Sequence, residues 1–324
     1  MIQNEFIQKY QPDKDIRKDR LLRGGAKRNI RRTFKRDYRM GFYRIAGLTV
    51  QFDYHFTHNL QPRLAPYVTD ECEHPDMVMT SQVVGEIKSI PNIELTEAGP
   101  LMLGVMPDGR RFRGVRSKSG EWRYTIITTP DYREAEILLH KDLKNRHFEL
   151  SEYEYIYTCG AFSNRVAHLG GVALHGSAIK FKNKAIAFSG VSGAGKSTHT
   201  ALWRDRFGDR VDMINDDRPI IRFESDEPYA HGAPWSGTSP LNNPICAPLA
   251  AVVYVQQGET NVLRPLSLHE KIFHLTNHIA RPAHDAALGA RILETTERLL
   301  TVPAYLLVCT KDQKAVDAAL GVLA

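Results

Sequence analysis

Gly190-Val191-Ser192-Gly193-Ala194-Gly195-Lys196-Ser197 fits the pattern G-x-x-x-x-G-K-[ST] without a mismatch. This is the Walker A pattern of a P-loop, and each part of it has a chemical task. Glycines let backbone N–H groups turn inward around phosphate oxygens. Lys196 reaches the β- and γ-phosphates, and the Ser197 hydroxyl offers a ligand to Mg²⁺. A helix opening behind the loop aims its positive end at the same anion. The pattern therefore predicts a nucleotide held on Gly190, Ser192, Gly193, Ala194, Gly195, Lys196, Ser197 and Thr198.

The flanks have the form such a loop needs, a strand before it and a helix after it. Ala185-Ile186-Ala187-Phe188-Ser189 is an apolar run of strand length. Behind the loop, Thr198, Ala201, Leu202, Trp203 and Phe207 fit one face of a helix, and Gly208 fits its stop. Upstream, Val172 to Phe181 and Lys184 to Phe188 read as hairpin arms around Lys182-Asn183. His175 lies in the first arm, and by spacing alone a strand histidine is more often packed or exposed than catalytic.

Downstream, Val211 to Ile214 reads as a short strand leading to Asn215-Asp216-Asp217, with Asp216 twenty residues after Lys196. Phosphoryl transfer needs an acid to hold Mg²⁺ or its water shell, and a base to take the acceptor's proton. Two adjacent carboxylates offer both. A solvated turn before Pro219 is the competing reading.

Together, Leu174-His175-Gly176-Ser177, the loop Gly190 to Thr198 and Asn215-Asp216-Asp217 resemble the HPr kinase/phosphorylase family. Its C-terminal domain is related to the phosphoenolpyruvate carboxykinases. The resemblance covers about residues 172 to 265. It implies an α/β P-loop core with a mixed sheet, ATP and Mg²⁺ as cofactors, and self-assembly. It also implies a proton-accepting Asp216 assisted by His175, with Asp217 nearer the metal beside Ser197. Arg264 follows a strand and a turn where related enzymes set cationic loops against phosphates. The N-terminal half lacks the family's N-terminal pattern. Gly232-Ala-Pro-Trp-Ser-Gly237 resembles instead the equivalent loop of a broad group of bacterial HPr-kinase-like proteins. Trp235 within it suits pocket lining and core packing equally.

The remaining sequence sets the frame. Residues 1–40 hold 13 Lys/Arg against 5 Asp/Glu, so the net charge of +6 for all 324 residues comes from this basic arm. Arg31, Arg32, Lys35, Arg36 and Arg39 fit a helix facing an acidic partner, but no nucleic-acid motif accompanies them. From Gly41 to about residue 148 the pattern is β-rich, and we expect a smaller antiparallel domain there. His55, His58, Cys72 and His74 match no common zinc spacing. Residues 149–324 form the expected kinase domain. It opens with a helix from Glu149 to His168, and Ser267 caps a later one.

No apolar stretch approaches a membrane span and no leader pattern is present, so the expected setting is cytoplasmic, with the four scattered cysteines reduced. The expected activity is an ATP-dependent kinase acting on a hydroxyl of a protein, peptide or metabolite. Its machinery is Asp216, His175, Lys196 and Arg264, with metal at Ser197 and Asp217. A nucleotide-hydrolysing switch and a non-catalytic nucleotide-binding module are the competing classes.

Overall fold

The computed structural model describes residues 39–90, 92–144, 148–282 and 285–323. The basic arm lies outside the described residues except for its last two positions.

Two sheets organise the chain. The first contains β1 (Arg39–Ile45), β2 (Leu48–Tyr54), β3 (Met77–Val84), β4 (Leu95–Ala98), β5 (Leu101–Val105), β6 (Arg111–Arg116), β7 (Trp122–Thr128) and β8 (Glu134–His140), in the order β1-β2-β3-β8-β7-β6-β5-β4. The expectation of an antiparallel domain needs correction, because β2, β3 and β8 pair in parallel. Alternation of apolar and polar residues fixes which face a strand buries, but not the direction of its neighbour. The parallel step needs a crossover, and α1 (Thr57–Leu64) supplies it between β2 and β3.

The second sheet contains β9 (Val172–Ala173), β10 (Gly176–Phe181), β11 (Lys184–Ser189), β12 (Val211–Asn215), β13 (Ile220–Glu224), β14 (Glu227–His231), β15 (Cys246–Gln257), β16 (Val262–Pro265) and β17 (Ala304–Cys309). Its main path runs β12-β10-β11-β15-β14-β13-β9, with β17 parallel to the second half of β15 and β16 on the outside of β17. Lys182 (φ 51°) and Asn183 (φ 60°) are both left-handed, as a two-residue hairpin between β10 and β11 requires. The arm expected from Val172 to Phe181 is broken at Leu174-His175, where β9 leaves to pair with β13.

α2 (Leu150–His168) lies between the sheets, packing on β3 and β8 on one side and on β9 on the other. Its start is fixed by a capping box in which Glu149 N donates to Glu152 Oε2 at 2.7 Å. Its buried Phe162 and Val166 join one apolar cluster with Phe52, Ile137, Ala173, Ile220 and Trp235. That cluster crosses from sheet to sheet. Glu154, fully buried on the same helix, accepts His55 N at 2.7 Å and Phe56 N at 2.9 Å, and so anchors the chain entering α1. Burial raises its pKa against the pull of those two bonds.

α3 (Lys196–Phe207) follows β11. The remaining helices are α4 (Leu268–His278), α5 (Ala286–Leu299) and α6 (Gln313–Ala319). α3 buries His199, Thr200 and Trp203. Thr198, expected on the apolar face, is exposed: the buried stripe is rotated one position towards His199. Ser267 caps α4 as expected, its Oγ accepting from Glu270 N at 3.3 Å. Among the described residues, no helix is long and apolar enough to cross a membrane.

Candidate active site

Strand direction explains why distant residues meet. β10 is antiparallel to both β11 and β12, so β11 and β12 run the same way and end on one edge of the sheet. β10 begins on that edge. His175 before β10, Gly190 after β11 and Asp216 after β12 therefore converge. The carboxyl ends of strands in open α/β sheets are where ligands bind.

The loop follows the shape its sequence predicts. Gly190 (φ 140°), Gly193 (φ 76°) and Gly195 (φ 103°) take backbone conformations that side chains resist, and α3 starts at Lys196. A Cβ on Gly190 would stand 2.9 Å from Val255 O on β15, so the loop is also pressed against the neighbouring strand. Lys196 is only 8% exposed, and its Nζ donates to Gly190 O and Val191 O, both at 3.0 Å, curling the side chain over the loop. A shallow cleft beside Gly195 and Thr198 is walled by Gln257 and Lys311.

A hydroxyl relay ties this loop to the acid pair. Ser177 Oγ donates to Asp216 Oδ1 at 2.7 Å and accepts from Thr200 Oγ1 at 3.0 Å, whose single proton it shares with Ser197 O at 3.1 Å. Ser177 and Thr200 are fully buried. Neither Ser177 nor Thr200 carries a sequence signal for this role. Beneath them His199 accepts a hydrogen bond from Trp203 Nε1 at Nε2 (3.2 Å), and burial pulls its pKa down to about 4.

The expectation joined His175 to Asp216. The structure puts His175 Nδ1 3.3 Å from Asp217 Oδ1 instead, with both side chains under one-fifth exposed. Backbone bonds set this geometry: Gly176 N donates to Asp217 O at 3.0 Å, and Ser189 Oγ to His175 O at 2.7 Å. Arg218 Nε lies 3.7 Å from the other Asp217 oxygen. Asn215, completely buried, holds the turn: its Oδ1 accepts from Asp217 N and Arg218 N, and its Nδ2 donates to Ala233 O and Trp235 O.

Asp217 also walls a cavity of about 170 Å³ whose other sides are Asn59 and Arg63 from α1, Tyr155 and Ile156 from α2, and Gly237-Thr238. Arg63 donates to Ser236 Oγ, Gly237 O and Ser239 O at 2.9 to 3.1 Å, and its guanidinium lies 5.0 Å from the Tyr155 ring centre. Gly237 N donates to Tyr155 Oη at 2.8 Å. No sequence motif pointed to Arg63, Asn59 or Tyr155. Trp235, left open between two readings, is core: 1% exposed, stacked on Phe162 at 5.0 Å, its Nε1 bonded to Thr158 Oγ1.

Arg264 is not brought to the loop. It stands three strands from Ser189, through Tyr254 and Leu306, about 14 Å at ordinary strand spacing. Its guanidinium is engaged by Glu270 at 2.6 Å.

These mixed sheets and their helices define a mixed α/β protein, an architecture consistent with nucleotide binding. No protein-family profile matches the chain, and no curated protein does. Among solved structures it is similar to the HPr(Ser) kinase/phosphatase from Coxiella burnetii at 13% identity and a TM-score of 0.22, over 39% of this chain and 90% of that one. A likeness that weak carries no functional argument.

Proposed function

We propose that this protein is an ATP-dependent kinase that transfers the γ-phosphoryl group to an acceptor hydroxyl. The observation that carries the reading is the position of Asp217, which touches His175 on one side and opens onto the cavity on the other, on the strand edge that also bears the Gly190–Ser197 loop. A phosphotransferase needs a phosphate cradle, a base and a separate acceptor pocket in that order.

The loop glycines and the N-terminus of α3 hold the nucleotide phosphates, and Lys196 moves from its loop carbonyls to their charge. Ser197 and the carboxylates supply hard oxygen donors of the kind Mg²⁺ takes, and the metal would neutralise phosphate charge there. The His175 contact supports giving the proton to Asp217. Asp216, tied through Ser177 to α3, then stands on the metal side. This exchanges the two roles the family resemblance implied. Arg264 has no part in this scheme. Residues 41–148 form a module that positions the acceptor through Asn59 and Arg63, and residues 149–324 carry the transfer chemistry. Four free thiols support a reducing, cytoplasmic setting.

The test is incubation with γ-labelled ATP and fractionated lysate, comparing the wild type with Asp217→Asn and Asp216→Asn. Label should enter one acceptor fraction. Asp217→Asn should keep ATP binding and lower transfer by about 10²- to 10⁴-fold. Equal ATP turnover with and without acceptor, or full transfer by Asp217→Asn, sinks the proposal.

A further inference from the structure

A second cluster of reactive side chains lies away from the strand edge just described. Glu224 ends β13, His231 ends β14 and Cys246 begins β15. His231 and Cys246 are direct register partners, and Glu224 reaches across the hairpin so that its Oε1 lies 3.6 Å from His231 Nε2. One ligand atom from each residue falls within 4.8 Å of the other two. His231 is 94% buried, yet its Nε2, aimed at this cluster, has no hydrogen-bond partner. A buried imidazole nitrogen without a partner calls for a ligand.

We propose that Glu224, His231 and Cys246 bind one borderline divalent cation of the zinc class, with a fourth position open to water. The donor set decides the class. One imidazole nitrogen, one thiolate and one carboxylate suit zinc, whereas Mg²⁺ and Ca²⁺ take oxygen alone. Tetrahedral zinc spaces such ligand atoms about 3.5 Å apart. The His231–Glu224 pair already meets that spacing, and Cys246 and Glu224, both exposed, are free to close the rest by side-chain rotation.

Burial holds the His231 pKa down to about 4, so the ring is in its neutral, ligating form at neutral pH. Burial and the Glu224 charge raise the Cys246 pKa, so the thiol gives up its proton to solvent as the cation binds. Arg222 faces His231 and Lys180 faces Cys246; their charges oppose the cation, while Glu224 and the new thiolate offset them.

The placement gives the cation a structural task. His231 and Cys246 flank residues 232–245, the loop that carries Trp235 and sets Gly237 against Asp217. A cation there clamps the neck of that loop. Cys246 is nine residues from Val255, about 30 Å along an extended strand, so the cluster is separate from the phosphate loop.

The experiment uses the full, metal-stripped chain titrated with Zn²⁺, Co²⁺ and Mg²⁺ at neutral pH. One Zn²⁺ per chain should bind and release about one proton. Co²⁺ should give a thiolate charge-transfer band, and Mg²⁺ should not compete. Zn²⁺ should shield Cys246, but not Cys72, from alkylation. Cys246→Ser and Glu224→Gln, both at exposed positions, should each weaken Zn²⁺ at least about tenfold, and Cys246→Ser should lose the cobalt band. Absent Zn²⁺ binding, or unchanged binding and an unchanged cobalt spectrum in Cys246→Ser, overturns the proposal.

Discussion

The two sides of the candidate active site are built in opposite ways. The phosphate side is local: Gly190 to Thr200 supply the loop, the lysine and the first turn of α3 within eleven consecutive residues. The cavity side is assembled from afar, with Arg63 bonded to Ser236 across 173 positions of sequence and Gly237 bonded to Tyr155 across 82. A local motif is rigid because its own backbone dictates its shape. A wall made of remote pieces depends on the core behind it. Damage should therefore be separable, with one kind touching nucleotide alone and another touching acceptor alone.

On the phosphate side the largest effect expected is from Lys196→Ala, which removes the charge there. Transfer should fall by about 10²- to 10³-fold and thermal protection by ATP should shrink, while the melting temperature without ATP moves little. Next comes Trp235→Ala. Losing a fully buried, stacked indole should cost about 3 to 5 kcal/mol in denaturant unfolding. It should also loosen the acceptor wall, because Trp235 is two residues from Gly237 and packs on the helix that bears Tyr155.

Arg63→Ala is the sharper probe. It should raise the acceptor KM about tenfold, the scale of one lost charged hydrogen bond, and leave the ATP Kd unchanged. If both constants move together, the two sides are not independent and the contrast fails. The smallest effect per step is that of pH, taken one unit at a time. His199, under the phosphate side, has its folded pKa pulled to about 4 from the usual 6.5. The unfolded chain thus takes a proton first, and stability is lost as pH falls through 6.5 towards 4, by about 1.4 kcal/mol per pH unit at most for this group. Urea unfolding at several pH values should show that slope, and His199→Gln should reduce it.

Sequence legibility divides along the same line. The loop, the Lys182-Asn183 turn and the Ser267 cap are readable because each signal lies within a few residues of the structure it specifies. Asp216-Asp217 was readable as a pair, but which of the two meets His175 depends on the fine geometry of the edge, and spacing cannot supply that. The exposed Thr198 shows how a helical stripe drifts when small polar residues such as Thr200 are buried to serve a relay. Arg63 and Asn59 carry no local signal at all. They matter only because α1 bridges a parallel step that alternation along β2 and β3 does not reveal. Arg264 stands after a strand and a turn in the chain, and the three-strand displacement that separates it from the loop arises only once the sheet is assembled.

Asn215 makes the site sensitive to the identity of a single atom. Its amide gives two hydrogens to Ala233 and Trp235 and takes two from Asp217 and Arg218, so the two ends of the group are not interchangeable. An Asn215→Asp substitution would replace the donating end with an oxygen facing two carbonyl oxygens. The turn bearing Asp217 and the loop bearing Gly237 would then repel where they had been latched. One nitrogen exchanged for oxygen, as in Asn215→Asp, would therefore unlatch both segments at once.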